Sequence, residues 1–525
     1  MRRDLGDFQT PPELVAKVLE ALGPICPRWP RVLEPSCGRG HFIRGLLDLP
    51  DPPGEIQAVE IQESHYEAAR ALAVGDVARG VRVRIIRADL FELDLKRDLT
   101  WHEQGPLLVV GNPPWVTNSE LGSLASTTRP PRRNIKGMAG LEARTGASNF
   151  DVAEAFWLKL VHELADQQPT IALLCKTSVA RSVLQFAHRA ALPVSAAWVQ
   201  QIDAARWFGA AVDACLFCVT LGDAQSRPVP SLRVPIFSGL CQRDPDSIMG
   251  FAQGQLIADL MAHEKWAFAD GVCPMSWRQG LKHDAAGVME LSRDNASGQW
   301  RNRAGESVDV ERDFVYPLVK GTDLARSPGP AGARSVLVTQ DRLGANTARL
   351  AEQAPRLWGY LQSNSAIFSK RKSSIYRGQP PFALFGIGPY SFAPYKVAIS
   401  GLHKVPKFRA LGPVGGRPVM LDDTCYFLPC PTALEAAVLA ALCNDPITLG
   451  LIGSISFRDA KRPITKKLLQ RLDFLAILER AERRSLLARA QAALRDELAT
   501  KPTEAIADVI TEIEHRFRQV VLEGT

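Results

Sequence analysis

The chain predicts an α/β fold built on a doubly wound parallel sheet, followed by a second domain of mixed structure. Over roughly the first 225 residues, strand, glycine turn, helix and strand recur, and four apolar runs each end on residues that carry chemistry. In addition, 525 residues are too many for one ordinary core, so two or three domains are expected.

The first run is Arg31-Val-Leu-Glu34. It leads through Pro35-Ser36-Cys37-Gly38-Arg39-Gly40 into a helix that starts near Phe42. Glycines at such a turn let the backbone approach a ligand closely, and the helix start offers open N–H groups. The second run, Ile56 to Glu60, ends on a carboxylate placed to accept from both hydroxyls of a ribose. The third, Val81 to Arg87, leads into Ala88-Asp89-Leu90-Phe91, where Asp89 suits an adenine amine and Phe91 its ring. The fourth, Leu107 to Gly111, reads as a buried strand that stops at Asn112-Pro113-Pro114-Trp115. Two prolines cannot extend a strand, so an amide is fixed at its tip with an aromatic three residues on. The Asn112 side-chain oxygen and the Pro113 carbonyl suit the hydrogens of an exocyclic NH2, and Trp115 suits the ring that bears it. Any one of these has a bland counterpart: a rigid turn, a helix cap, a solvated acid. Four in order, each at a strand end, outweigh it.

The remaining composition is that of a soluble, intracellular protein. The longest apolar stretches, such as Leu434 to Cys443, fall well short of a membrane span, and Met1 to Asp7 lacks the apolar core of a signal peptide. The ten cysteines are scattered, and Cys215-Leu-Phe-Cys218 has no second pair at zinc spacing. Reduced core thiols and no metal site are expected. Charge is unevenly divided: residues 1–230 hold 25 Lys+Arg against 26 Asp+Glu, leaving 38 and 30 for the rest. A basic C-terminal half fits phosphate contacts.

A polar, proline-bearing stretch, Asp223 to Pro230, marks the expected limit of the first domain, giving 1–228, 229–465 and a helical segment 466–525. Within the middle part, Lys370-Arg371-Lys372-Ser373-Ser374-Ile375-Tyr376-Arg377, followed by Phe382 to Phe392 and Lys396, interleaves cations with aromatics and hydroxyls. That combination suits contacts with phosphates and bases together, with a solvated basic loop as the competing reading. Residues 116–148, with Arg129, Arg132 and Arg133, read as a loop over the site.

In these motifs the chain resembles the amino-methyltransferases that use S-adenosylmethionine to methylate DNA, in the gamma arrangement typified by TaqI. The resemblance covers roughly the first 225 residues closely and the rest more loosely. It implies a Rossmann-like class I methyltransferase domain, a C-terminal α+β target recognition domain and a helical tail. Phe8-Gln9-Thr10-Pro11-Pro12-Glu13 resembles the segment that closes over the cofactor, which assigns Thr10 and Pro11 to it. Glu34, Pro35, Gly38 and Gly40 match the glycine motif, Glu60 the ribose acid, and Asp89, Leu90 and Phe91 the adenine pocket. Asn112, Pro113, Pro114 and Trp115 match the catalytic tetrapeptide, with Asn112 also beside the cofactor. Trp115 stands where Tyr or Phe is commoner. Asn149-Phe150-Asp151 opening a helix Val152–Leu164, and a strand Ile171 to Ser178, resemble the next elements. Trp207-Phe208-Gly209 resembles the late motif whose aromatic, Phe208, sandwiches an extruded base. Lys370, Arg371, Lys372, Tyr376 and Arg377 are the expected DNA contacts.

The resemblance implies transfer to adenine N6 in double-stranded DNA, in the cytoplasm, with separate restriction or defence subunits as possible partners and no membrane. Cytosine N4 stays open, as do an RNA amine, a protein glutamine amide and a DNA-binding subunit without turnover. A fused nuclease domain is not expected, and a Gly-x4-Gly-Lys-Ser/Thr phosphate loop is absent from the sequence.

Overall fold

A computed structural model describes residues 9–74, 80–116, 151–223, 232–294, 297–325, 334–501 and 505–523. Phe8, Asn149, Phe150 and the arginines of 116–148 lie outside these residues. The chain divides into two compact units, residues 1–261 and 262–525.

The first unit is organised by one ten-stranded sheet. Its parallel part comprises β1 (Arg31–Glu34), β2 (Glu55–Glu60), β3 (Arg82–Arg87), β4 (Leu107–Gly111) and β5 (Thr170–Lys176), in the order β5-β4-β1-β2-β3. β1 pairs in parallel with both β2 and β4, so the strand order reverses there. Such a reversal opens a crevice at the strands' carboxyl ends, where ligands bind in sheets of this kind. All five residues of β4 are buried, as a central parallel strand covered on both faces must be, whereas no residue of the β3 edge is fully buried. β6 (Val194–Ile202) and β7 (Ala214–Leu221) continue the sheet, β7 running antiparallel between β5 and β6.

Helices cover both faces. α1 (Pro12–Leu22) starts on a proline at its first position and buries Leu14, Val15, Val18, Leu19 and Leu22 along one stripe. α2 (His41–Leu47) follows the glycine turn, and α3 (Glu63–Val74) follows β2. α4 (Val152–Leu164) is buried over nearly its whole length and is capped by Asp151, whose side chain accepts from Ala153 N–H. The expected strand Ile171 to Ser178 ends at Lys176, because Thr177 and Ser178 already open α5 (Thr177–Arg189). α6 (Ala204–Phe208) carries the late aromatic and closes on Gly209 at φ 63°.

The expected domain limit at 228/229 falls within residues 224–231, outside the described set. Beyond it β8 (Arg233–Phe237), β9 (Ser247–Ala252) and β10 (Gln255–Ile257) hydrogen-bond onward from β6 in the first sheet.

The second unit holds two smaller sheets. One contains β11 (Arg278–Gln279), β17 (Tyr395–Ser400), β18 (Arg409–Leu411) and β20 (Cys425–Cys430). The other contains β12 (Glu290–Arg293), β13 (Trp300–Arg301), β14 (Ser307–Val308), β15 (Val315–Val319), β16 (Arg334–Leu337) and β19 (Met420–Leu421). α7 (Ala433–Cys443) and α8 (Pro446–Ile455) are buried against this unit, and α9 (Lys466–Leu469), α10 (Arg483–Asp496) and α11 (Ile506–Glu523) follow. The tail helices pack inward through Leu486, Ala490, Leu494, Ile510, Ile513 and Phe517, and Arg516 pairs with Glu435 of α7 at 2.6 Å. Among the described residues no single helix is long and apolar enough to cross a membrane; α7 and α8 pass that test only as a pair bent by 55°. The ten cysteines are free thiols, eight of them buried.

Candidate active site

Backbone pairing sets the carboxyl ends of β1, β2, β3 and β4 side by side. Glu34, Glu60, Asp89 and Asn112 therefore converge although they are spread over nearly eighty positions. The Cys37 N–H donates to Val59 O at 2.9 Å, and the Ala88 N–H donates to Glu60 O at 3.1 Å. Gly38 and Gly40 lie at φ +52° and +84°, backbone that L side chains rarely adopt. A Cβ on Gly38 would sit 2.6 Å from the Gln9 side-chain oxygen, so a larger residue there would be strained in backbone and would displace Gln9.

The segment before α1 closes over this turn. Gln9 Oε1 accepts from the Arg39 N–H at 3.0 Å, and His41 Nδ1 lies 2.7 Å from the carbonyl of buried Thr10. Pro11 accepts from Leu14 and Val15 as the cap of α1. Gln9 belongs to the segment expected to close over the cofactor, and the fold adds its contact with the glycine turn, which the motif alone does not assign.

Glu60 is buried, with Oε2 accepting from Gly38 N–H at 2.8 Å and Oε1 from Gln62 N–H at 2.7 Å. Two bonds use about half the acceptor capacity of a carboxylate, which leaves each oxygen able to receive a ribose hydroxyl. Glu34 is fully buried beside it. Desolvation first, then the Glu60 charge, lifts its carboxyl well above the ordinary range, with the Ile43 N–H partly offsetting them. Its Oε2 has no hydrogen-bond partner among the described residues. An orphaned buried oxygen beside a glycine turn and a half-satisfied carboxylate is a donor-accepting cradle, and it fits a nucleoside cofactor with an ammonium-bearing tail.

Asp89 accepts from the Phe91 N–H at 2.9 Å, which fixes the turn after β3. Leu90 is buried, and the Phe91 ring meets Phe156 of α4 edge-on, centroids 5.1 Å apart.

Asn112 follows directly on β4, with Pro113 buried and Pro114 half-buried behind it. Ser36 Oγ reaches its carbonyl at 3.4 Å, and a Cβ on Gly111 would lie 3.4 Å from Glu34 Cγ. The tetrapeptide thus adjoins the glycine turn. Trp115 is buried, its indole N–H donating to Leu174 O at 3.1 Å. Phe208 meets it with ring centroids 5.0 Å apart and planes at 72°. Val116 O accepts from the Val152 N–H at 2.9 Å, and Asp151 pairs with Lys176 at 2.7 Å. Burial still raises the Asp151 carboxyl above its usual value. The elements at both ends of this brace are legible in the sequence, but the pairing of Asp151 with Lys176 is not.

In the second unit the basic segment divides. Lys370, Lys372 and Arg377 are exposed. Arg371 is turned inward: its guanidinium donates to Ala383 O at 2.9 Å, Phe368 O at 3.2 Å and His283 O at 3.4 Å, and it stacks 3.7 Å from the Tyr376 ring centroid. Tyr376 meets Phe385 edge-on at 5.4 Å. Lys396 does not join the exposed cations. It is 1% exposed, donates to Ala393 O at 2.7 Å, and is lowered by burial to about 8.

No protein-family model matches the chain. It is 34% identical over 473 residues to the Type II methyltransferase M.NspV of Nostoc sp. (strain ATCC 29411 / PCC 7524), covering 90% of this chain and 96% of that protein. Among solved structures, the Type IIL restriction-modification enzyme MmeI in complex with DNA aligns over 98% of this chain and 75% of its own, at 12% identity and a TM-score of 0.51. The ATP-dependent Type ISP restriction-modification enzyme LlaBIII bound to DNA aligns over 81% of this chain and 33% of its own, at 11% identity and a TM-score of 0.41. With a relative of that identity matched almost from end to end, the chain belongs to the Type II methyltransferase family.

Proposed function

We propose that this Type II methyltransferase acts on double-stranded DNA and transfers a methyl group to N6 of adenine, as the modification part of a restriction-modification or phage-defence system. One observation carries the reading: a fully buried central strand ends on Asn112-Pro113-Pro114-Trp115, directly beside Glu34 and the glycine turn. The names of the relatives, a Type II methyltransferase and a restriction-modification enzyme solved with DNA, support the substrate class.

The cofactor is S-adenosylmethionine. When bound, it supplies an electrophilic methyl group on a sulfonium. Glu60 would hold the ribose, Asp89 and Phe91 the adenine, and the Glu34 side of the crevice the amino-acid tail, with Thr10 and Gln9 above the glycines. An adenine in a duplex hides its amine in the stack, so the target leaves the helix to reach the crevice. Asn112 Oδ1 and the Pro113 carbonyl accept from the amine hydrogens, raising electron density on a nitrogen that is itself the nucleophile. Acceptors held rigidly by a buried strand and two prolines need no reorganisation as charge shifts. Trp115 and Phe208 replace the stacking that the base gives up. Exposed Lys370, Lys372 and Arg377 contact phosphates, and Arg371 holds their segment in place.

Asn at the first tetrapeptide position favours adenine over cytosine N4, and the second unit of some 260 residues favours DNA over a protein or small RNA target. Modification-sensitive sequencing of DNA from cells with and without the gene tests this. N6-methyladenine at one short motif, lost with the gene, is expected; an unchanged methylome contradicts it.

A further inference from the structure

Two loops of the second unit, well separated in sequence, meet at one place. The first follows β17 and reads His403-Lys404-Val405-Pro406-Lys407; the second follows α8 and reads Arg458-Asp459-Ala460-Lys461-Arg462. The turn at Asp423-Thr424 joins them. The Gly401 N–H donates to Thr424 O at 2.7 Å, Arg462 donates to Asp423 O at 3.1 Å, and a Cβ on Gly401 would lie 3.2 Å from Ile464 O. A side chain at 401 would crowd the Tyr426 ring, Thr424 O and Ile464 O, at 3.0–3.2 Å from its Cβ.

Lys404, Lys407, Arg458 and Lys461 are all exposed and have no ion-pair partner among the described residues. Elsewhere in this unit surface arginines are commonly paired, as Arg334 is with Asp323 and Arg356 with Asp309. Between the two lysines Val405 is held 78% exposed, an apolar side chain that packing in this chain does not use. Unpaired cations on short anchored loops, two of them on either side of a projecting apolar tip, match a polyanion with a groove: the cations meet phosphates and the tip enters the groove.

We infer that the loops 403–407 and 458–462 form a second duplex-DNA backbone contact, distinct in sequence from Lys370–Arg377. The inference rests on the DNA reading above. It assigns Lys404, Lys407, Arg458 and Lys461 to phosphates that position the duplex, not to base readout.

The test uses the full chain and a labelled duplex of mixed sequence, with binding followed by fluorescence anisotropy across a salt series. Replacing Lys404, Lys407, Arg458 and Lys461 by Ala is expected to weaken binding roughly tenfold or more at low salt. It should also flatten the log–log salt slope by about 0.9 for each phosphate no longer neutralised. S-adenosylmethionine binding and thermal midpoint should stay at wild-type values, since all four side chains are exposed. Replacing exposed Arg484 and Lys501 instead should leave slope and affinity unchanged, and a loss there about half as large, in proportion to two charges against four, would overturn the inference by making it a net-charge effect. A quadruple variant that binds like the wild type also overturns it. A wild-type protein that binds no duplex at all fails the DNA reading itself, a different result.

Discussion

Trp115 and Phe208 touch edge to face, centroids 5.0 Å apart, with the indole N–H tied to Leu174 O. Two faces that hold a base between them must stand about 7 Å apart, twice an optimal carbon contact. If these rings hold the extruded base as proposed, they meet where it would lie, and capture would have to part them. Since Trp115 is anchored by its hydrogen bond, Phe208 on the short helix α6 is the partner expected to move. Phe208→Ala should remove one stacking face, worth about 1–3 kcal/mol on the extruded base, with S-adenosylmethionine affinity unchanged. A fluorescent adenine analogue at the target position reads this as reduced signal on binding. An unaltered signal would remove Phe208 from the site.

Glu60 ties the glycine turn to the end of β2 and keeps capacity for a ribose. Glu60→Ala should weaken S-adenosylmethionine binding by about tenfold or more, or about 1.4 kcal/mol, because it removes a charge-assisted pair of acceptors. Calorimetry checks it, and an unchanged dissociation constant would place the cofactor elsewhere.

Arg371 and its neighbours should separate cleanly. Arg371→Ala removes the guanidinium donor from Ala383 O and His283 O, leaves Phe368 O only the backbone N–H of residue 371, and uncovers Tyr376, so a loss of about 2 kcal/mol of stability is expected. Replacing Lys370, Lys372 and Arg377 by Ala should leave the thermal midpoint unchanged but weaken DNA binding, flattening its salt slope by about 0.9 per phosphate. Thermal melts and salt titrations of both variants decide between the two roles.

Lys396 links the fold to pH. Burial lowers its ammonium from 10.5 to about 8, so between those values the unfolded chain binds a proton that the folded chain does not. Stability should therefore rise as pH goes from about 8 to 10.5, by up to about 3 kcal/mol, and the full penalty is present below pH 8. Lys396→Met should abolish that rise and stabilise the protein at about pH 7, as read by denaturant melts across this range.

Much of the first unit is legible in the sequence because its chemistry sits at strand ends. A buried run followed by Gly-Arg-Gly or Asn-Pro-Pro-Trp marks both the strand and its stop, and helix Val152–Leu164 is legible from its cap and apolar length. What is not legible depends on contacts far apart in sequence. Arg371 reads as a surface cation until Ala383 and His283, 12 and 88 positions away, supply its acceptors. Lys396 alternates with apolar neighbours as an exposed strand residue would, yet its strand lies inside a sheet between β18 and β20. Strands β8 to β10 follow a proline-bearing stretch that reads as a linker, and only their pairing with β6 joins them to the first sheet.

On the proposed reading Asn112 serves an adenine amine. The most direct measurement incubates purified protein with duplex DNA and isotope-labelled S-adenosylmethionine, digests the DNA to nucleosides and identifies the labelled product by mass spectrometry. Wild-type protein should yield N6-methyldeoxyadenosine, and Asn112→Ala should yield it roughly 100-fold more slowly or worse, with cofactor affinity retained, as for removal of a preorganised acceptor. Label in N4-methyldeoxycytidine, or an Asn112→Ala rate equal to wild type, would contradict an adenine-amine role for Asn112.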